Sequence, residues 1–389
     1  MVNAMNFVFL SPDFPPNYYL FCAHLHRMGA RVLGISDQPH TDLHPNLVAV
    51  LTEYHRVSDL HNYEEVLRAL GYFTYHYGKI DRVDSLNEHW LGTEVRLRTD
   101  FNIDGYKLAD LPRIKRKSEM KRLFVAAGLD VARGELVQSA EQAYTFVEEV
   151  GYPVVAKPDI GVGAAHTYKI TNRQELEAFL YERDTEYLLE EFIEGVIQTF
   201  DGLTDQQGIP VFYTSMQYSH GVMEVVNADG DVYYFTQRRV PQDLERAGRT
   251  LVQKFAVRER FFHFEFFRTP EGRLVVLEIN VRPPGGLSID MFNYANNIDL
   301  YYQWAGVITQ NRFSARFSWP YHICYAGRKH NKPYLHTHDE IMQRYGALII
   351  HHQPMSSVFR AAMGDYGYLV RSSDCDEAIA IAQFIQAKV

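Results

Sequence analysis

Residues 264–286 constrain this chain more tightly than any other stretch. Two apolar runs, Phe264-Glu265-Phe266-Phe267 and Leu274-Val275-Val276-Leu277-Glu278-Ile279-Asn280, flank Thr269-Pro270-Glu271-Gly272, and Arg282-Pro283-Pro284-Gly285-Gly286 follows. Turn residues between two strand-like runs predict a β-hairpin. A turn centred on Glu271-Gly272 places Glu265 and Glu278 directly opposite each other. Opposed carboxylates on a sheet repel, and apolar surroundings raise that cost, so a positive charge belongs between them. Glu278, Asn280 and Arg282 lie at i, i+2 and i+4 and therefore share a strand face. That face offers carboxylate and amide oxygens to a hard cation of the magnesium type, which is commonly held by one or two carboxylates plus substrate phosphates.

A second feature is Tyr152-Pro153-Val154-Val155-Ala156-Lys157-Pro158, followed by Asp159-Ile160-Gly161-Val162-Gly163-Ala164. An apolar strand that ends in one lysine and runs into a glycine loop suits phosphate: the lysine is a point charge, and the loop lets backbone N–H groups approach the oxygens. A third is Leu188-Leu189-Glu190-Glu191-Phe192-Ile193-Glu194-Gly195, where a buried strand meets an extended segment whose backbone can read an adenine edge.

The remainder of the 389 residues supplies context. Residues 5–104 alternate short apolar strands (Asn6–Leu10, Arg31–Ile35, Arg82–Leu86) with helical stretches (Leu20–Met28, Asn62–Tyr77, His89–Thr99), the rhythm of a parallel sheet with helices on its faces. The turn after the first strand, Ser11-Pro12-Asp13-Phe14-Pro15-Pro16, lacks the glycines of a dinucleotide site. Asn17, Asn87, Glu88 and His89 stand near strand ends, where such sheets line a crevice. A linker, Asp104–Leu111, leads to the basic segment Arg113–Lys117. The helix that follows is expected to bury Met120, Phe124 and Val125 and to end at Ala127-Gly128.

Composition narrows the function classes. Hydrophobic residues make up 46% and the net charge is −9, which argues against nucleic acid as a partner because such affinity comes mainly from Lys and Arg. Cys22, Cys324 and Cys375 have neither metal nor disulfide spacing. No apolar run reaches the roughly 18 residues of a membrane span, and Phe7–Leu10 reads as a strand rather than a secretory leader. A cytoplasmic protein is the expectation.

In this order along the chain, the three features resemble the ATP-grasp superfamily, in its carboxylate–amine ligase type with biotin-carboxylase-like motifs. The resemblance implies an α/β and α+β fold: a Rossmann-like domain at 1–104, a lid at 105–188, a core with the metal site at 189–312, and a C-terminal α/β segment at 313–389. It also implies ATP and Mg2+ (Mn2+ substituting) as cofactors, small-molecule carboxylate and amine substrates, and room for a homodimer.

Residue by residue, Lys117, eleven positions before Gly128, matches the first ATP lysine, and Lys157 the second, with Gly161 and Gly163 in the loop. Glu190, Glu191, Phe192 and Ile193 match the adenine hinge. Glu265 and Glu278 match the paired metal ligands, with Asn280 beside them. Arg282, with Gly285 and Gly286, matches the place of the transferred phosphoryl group. Tyr234–Arg239 contains a Gln-Arg-Arg similar to that of biotin carboxylases, which nominates Arg239 for an acyl-phosphate oxygen. One departure stands out: the usual ribose glutamate falls on Ile197, leaving Gln198 or Asp201 as candidates. The implied activity is acyl-phosphate formation followed by transfer to an amine. Bicarbonate activation and ATP binding without turnover are the competing readings.

Overall fold

The computed structural model of the chain describes residues 4–161, 166–183, 185–219, 221 and 229–389. Its strands fall into three sheets of mixed α/β character, the fold class expected from the sequence. The first is parallel, in the order β3-β2-β1-β4, built from β1 (Asn6–Leu10), β2 (Arg31–Ser36), β3 (Glu53–Arg56) and β4 (Arg82–Asp84). The residues of β1 are all buried, as a strand covered by helices on both faces must be. β4 stops two residues earlier than its apolar run suggests, because Leu86 takes the left-handed conformation, φ 54°.

The second sheet is antiparallel, in the order β5-β8-β6-β7, from β5 (Gly134–Val137), β6 (Val154–Pro158), β7 (Tyr168–Ile170) and β8 (Tyr187–Glu191). Leading into it, the basic segment forms two helices, Leu111–Lys115 and Lys117–Ala126, separated by extended Arg116. Met120 and Phe124 are buried as expected, but Val125 is 60% exposed. The break at Arg116 turns the second helix, and Ile114 from the first is buried with Met120 and Phe124 in the same apolar cluster.

The third sheet runs β14-β13-β9-β11-β12-β15-β17-β16, with β10 also paired to β9. Its strands are β9 (Val196–Thr204), β10 (Pro210–Thr214), β11 (Met216–Tyr218), β12 (Tyr233–Thr236), β13 (Phe261–Arg268), β14 (Leu274–Asn280), β15 (His322–Arg328), β16 (Ile349–Pro354) and β17 (Tyr366–Ser372). The β13–β14 hairpin pairs Glu265 with Glu278, as the turn position requires. Nearer the turn, Phe266 pairs with Val276 and Arg268 with Leu274, so Leu277 is an extra residue in a β-bulge.

Two features lock the first sheet to the third. Trp304, fully buried on the helix Leu300–Gln310, packs edge-on against Phe7 at 5.6 Å and Phe21 at 5.0 Å. Arg260, just before β13, bridges Asp84 at 3.0 Å and Glu94 at 3.1 Å, and Arg98 pairs with the same two carboxylates at 3.3 and 3.0 Å. This buried cluster of two cations and two anions fixes the end of β4, and with it Glu88, relative to the hairpin. Among the described residues no helix is long and apolar enough to cross a membrane.

Candidate active site

A cavity of about 600 Å³ lies between the second sheet and the β13–β14 hairpin. Lys117, Lys157, Glu190, Phe192, Ile193, Glu265, Glu278, Asn280 and Arg282 all line it, although they are scattered over 166 positions of sequence from first to last, 117 to 282 counted inclusively. Asp159 brings the two lysines together. Its carboxylate accepts from Ser118 N at 2.8 Å and pairs with Arg116 at 3.0 Å, and its carbonyl accepts from Lys117 N at 2.9 Å. The start of the Lys117 helix is thereby tied to the strand end that carries Lys157. Lys117 Nζ donates to the Gly161 carbonyl at 3.3 Å, placing that glycine at the site. Gly163 lies outside the described residues.

At one end of the cavity Lys157 Nζ pairs with Glu190 Oε2 at 2.6 Å, and Lys121 takes the other oxygen at 2.8 Å. Glu191 turns its carboxylate away, onto Arg133 at 2.7 Å, and its backbone N–H donates to the Arg133 carbonyl at 2.9 Å. Phe192 carries Lys169 over its ring, 3.8 Å from the centroid. Leu277 lies in the wall beside Val276 and Glu278.

At the other end Lys117 Nζ stands 3.5 Å from Glu278 Oε1. Arg282 Nη2 donates to Asn280 Oδ1 at 3.3 Å, and Nη1 to the Pro283 carbonyl at 2.8 Å. Glu265 accepts at Oε1 from His263 Nε2 at 3.0 Å, and His263 Nδ1 lies 2.5 Å from Asp201 Oδ1. Burial opposes ionisation of Glu265, yet the His263 hydrogen bond and charge hold its carboxyl below the usual range. Burial likewise opposes the charged form of His263, but the Asp201 carboxylate and the bonds to Asp201 and Glu265 push it up to about 9.

Of the strand-end residues in the first sheet, Glu88 comes nearest to this cluster. It is buried, its Oε2 has no hydrogen-bond partner, and Arg282 Nε is 3.9 Å from that oxygen. Burial pushes its carboxyl up, against the pull of Arg282 and Lys115. Asn87 serves its own turn by accepting from His89 N at 2.9 Å, and His89 meets His61 at 3.0 Å on the surface. Asn17 donates to Asp290 and Tyr301 on helices beyond the glycine pair.

Beyond Arg282, Gly285 and Gly286 lie under a strap formed by Met355, Phe359 and Met363. A Cβ on Gly286 would meet the Met363 thioether, and one on Gly285 would come 3.5 Å from Phe359. Phe359 in turn stacks on Phe14 at 6.0 Å, joining the turn after β1 to the far end of the chain.

Three sequence expectations need revision. Asp201 is fully buried and committed to His263 and Thr199, so it cannot reach a ribose. Gln198 projects to the opposite sheet face, where it bonds to Gln217 and Arg268. Arg239 is exposed and is absent from the cavity lining, while its neighbour Arg238 is bound to the carbonyls of Trp319 and Ser373. The Asp201–His263–Glu265 chain was missed, although polar residues at 263 and 265 inside Phe261-Phe262-His263-Phe264-Glu265-Phe266-Phe267 are a signal, since they share one face of an otherwise aromatic strand.

Residues 150–290 match the profile of the ATP-grasp domain. The chain carries an ATP-grasp domain. At the level of the family, the resemblance read from its motifs is thereby borne out. An L-arginine-specific L-amino acid ligase of Bacillus subtilis is 25% identical over 234 residues, 58% of this chain and 56% of that one. The carbamoyl phosphate synthase large chain of Clavibacter michiganensis is 28% identical over 191 residues, 46% of this chain and 17% of that one. The chain thus matches about half of the first of these curated relatives and a smaller part of the second. The crystal structure of an L-amino acid ligase from Bacillus licheniformis superposes with a TM-score of 0.75 at 14% identity, covering 98% of this chain and 97% of that one. The fold is therefore shared over nearly the whole length.

The donor set at the hairpin fits a hard divalent cation. Two opposed carboxylates and an amide oxygen supply part of an oxygen shell, and phosphate oxygens of a nucleotide would complete it. Among the described residues no group of three or more His, Cys, Asp or Glu side chains is arranged to hold a metal ion by itself.

Proposed function

We propose that this chain is an ATP- and magnesium-dependent ligase that phosphorylates a carboxylate to an acyl phosphate and transfers the acyl group to an amine, releasing ADP and phosphate. One observation carries the reading. The opposed carboxylates of Glu265 and Glu278 share a cavity with Lys117, Lys157 and Arg282, the charges that phosphoryl transfer needs and that nucleotide binding alone does not.

In this reading residues 105–188 are the lid and the β13–β14 hairpin belongs to the core beneath it. Lys117 and Lys157 grip the phosphates, and the backbone of Glu190–Ile193 reads the adenine. Glu194, an exposed carboxylate on the cavity rim, takes the place of the missing ribose ligand. Glu265, Glu278 and Asn280 hold magnesium, which when bound neutralises charge on the transferring phosphoryl group. Arg282 faces the carboxylate as it attacks, and the exposed backbone of Gly285 receives the acyl end. Catalysis of this kind is mostly positioning and charge neutralisation. An acyl phosphate hydrolyses readily, so closure of the lid excludes water.

Hydroxylamine added during turnover tests the proposal. With a productive acid it should trap an acyl hydroxamate, with one ADP formed per hydroxamate. ADP without hydroxamate indicates phosphorylation of a hydroxyl, and AMP with pyrophosphate indicates adenylation. Either result overturns the reading.

A further inference from the structure

Two rungs cross the third sheet on one face. Thr199, Glu265 and Glu278 stand side by side on β9, β13 and β14, and the next rung is Asp201, His263 and Asn280. His263 is therefore surrounded by all three residues proposed to hold the cation, yet its ring belongs to none of their roles. It is 4% exposed, and both ring nitrogens face carboxylate oxygens, Asp201 on one side and Glu265 on the other. Asp201 is itself braced: the Thr199 hydroxyl donates to it and accepts from Met216 N at 2.9 Å. A rigid tether thus runs from the backbone of β11 to one oxygen of Glu265.

We infer that His263 is a positioning residue for the cation site: anchored by Asp201, it takes Oε1 of Glu265 and leaves Oε2 as the oxygen presented to the metal. This rests on the metal reading proposed above. The geometry carries it in two ways. Oε2 of Glu265 makes no hydrogen bond among the described residues, whereas Oε1 is committed. Without the tether, a glutamate opposite a second carboxylate would swing away from it, since like charges facing each other across strands repel. Partners that orient a metal ligand commonly matter about as much as the ligand's own placement.

Mn2+ binding in the presence of ADP, followed by electron paramagnetic resonance, tests this without turnover. His263→Leu alone would strand Asp201 as an unpaired buried carboxylate, so the variant is made as Asp201→Asn/His263→Leu. Beside it, Asp201→Asn/His263→Gln keeps a donor near the position of Nε2. The leucine variant should lose about tenfold or more in Mn2+ affinity, the glutamine variant should recover to within about threefold of the unsubstituted protein, and metal-free ADP binding should stay the same in both. Equal Mn2+ affinity in all three proteins overturns the inference, and so does equal weakening by leucine and glutamine. If the unsubstituted protein with ADP binds no Mn2+ at all, the metal reading itself falls and the inference falls with it.

Discussion

Lys157 and Glu190 meet across β6 and β8 in an ion pair of 2.6 Å, with both side chains less than one-tenth exposed. Lys121 holds the second oxygen of the same carboxylate. Burial opposes ionisation of Glu190, but the charges of Lys157 and Lys121 outweigh it and keep its carboxyl below the usual range. Two lysines against one glutamate leave a net positive charge beside Lys157, a standing attraction for polyphosphate.

Glu190→Gln should therefore cost stability. It strands two largely buried ammonium groups, and breaking a buried ion pair from one side typically costs about 3 kcal/mol. Urea unfolding is the measurement. The deficit should shrink in saturating ATP, whose phosphates replace the lost counter-charge. A deficit that ATP leaves unchanged would place the phosphates elsewhere.

Glu278→Gln should leave the fold intact and remove turnover. The substitution relieves the repulsion from Glu265 while taking away an oxygen ligand and the partner of Lys117. A drop of about 10²- to 10³-fold in kcat is expected, by analogy with deleting one group that stabilises transition-state charge. ATP binding measured by calorimetry should change far less than kcat.

Glu88→Gln should stabilise the nucleotide-free protein at neutral pH. Burial raises the carboxyl of Glu88 above its ordinary value of 4.5, so its ionised form penalises the folded state at any pH above the raised value. That penalty fades as the pH falls through the raised value and is gone below 4.5. The advantage of glutamine over glutamate should accordingly be present at pH 7 and disappear on acidification towards pH 4.5, as read from thermal midpoints across that range.

Gly286→Ala should destabilise the strap. Gly286 has φ +63°, and an alanine Cβ there would stand 2.7 Å from the Met363 sulfur, with the terminal methyl closer still. The left-handed backbone alone costs a non-glycine residue about 1–2 kcal/mol. Met363 is flexible and can move, so most of the loss should be backbone strain. Faster proteolysis within residues 355–363 would report the displacement.

Much of this site could be read in the sequence because strand periodicity is local arithmetic. Glu265 opposite Glu278 needed only the position of Thr269-Pro270-Glu271-Gly272, and Lys157 at a strand end needed only the apolar run before it. The two ribose candidates failed for the converse reason. Gln198 lies on the far face of β9, whereas Asp201 lies on the face of Glu265 but is taken up by His263, and both placements are set by the pairing of β9 with β13. Asp201–His263 contact depends on the same long-range pairing. Val125 misled because the helix it belongs to begins at Lys117 instead of running on from Arg113, and the break at Arg116 rotates its buried stripe.

A regular strand lends a binding site only every other residue, its neighbours being turned to the far side. The bulge at Leu277 suspends that alternation for one step, and Val276, Leu277 and Glu278 all contribute to the same cavity wall. Apolar surface for a flat ring and a charge for a cation can thus be encoded by adjacent codons on one strand. The frame shift puts grease and charge shoulder to shoulder, about 3.3 Å apart along β14.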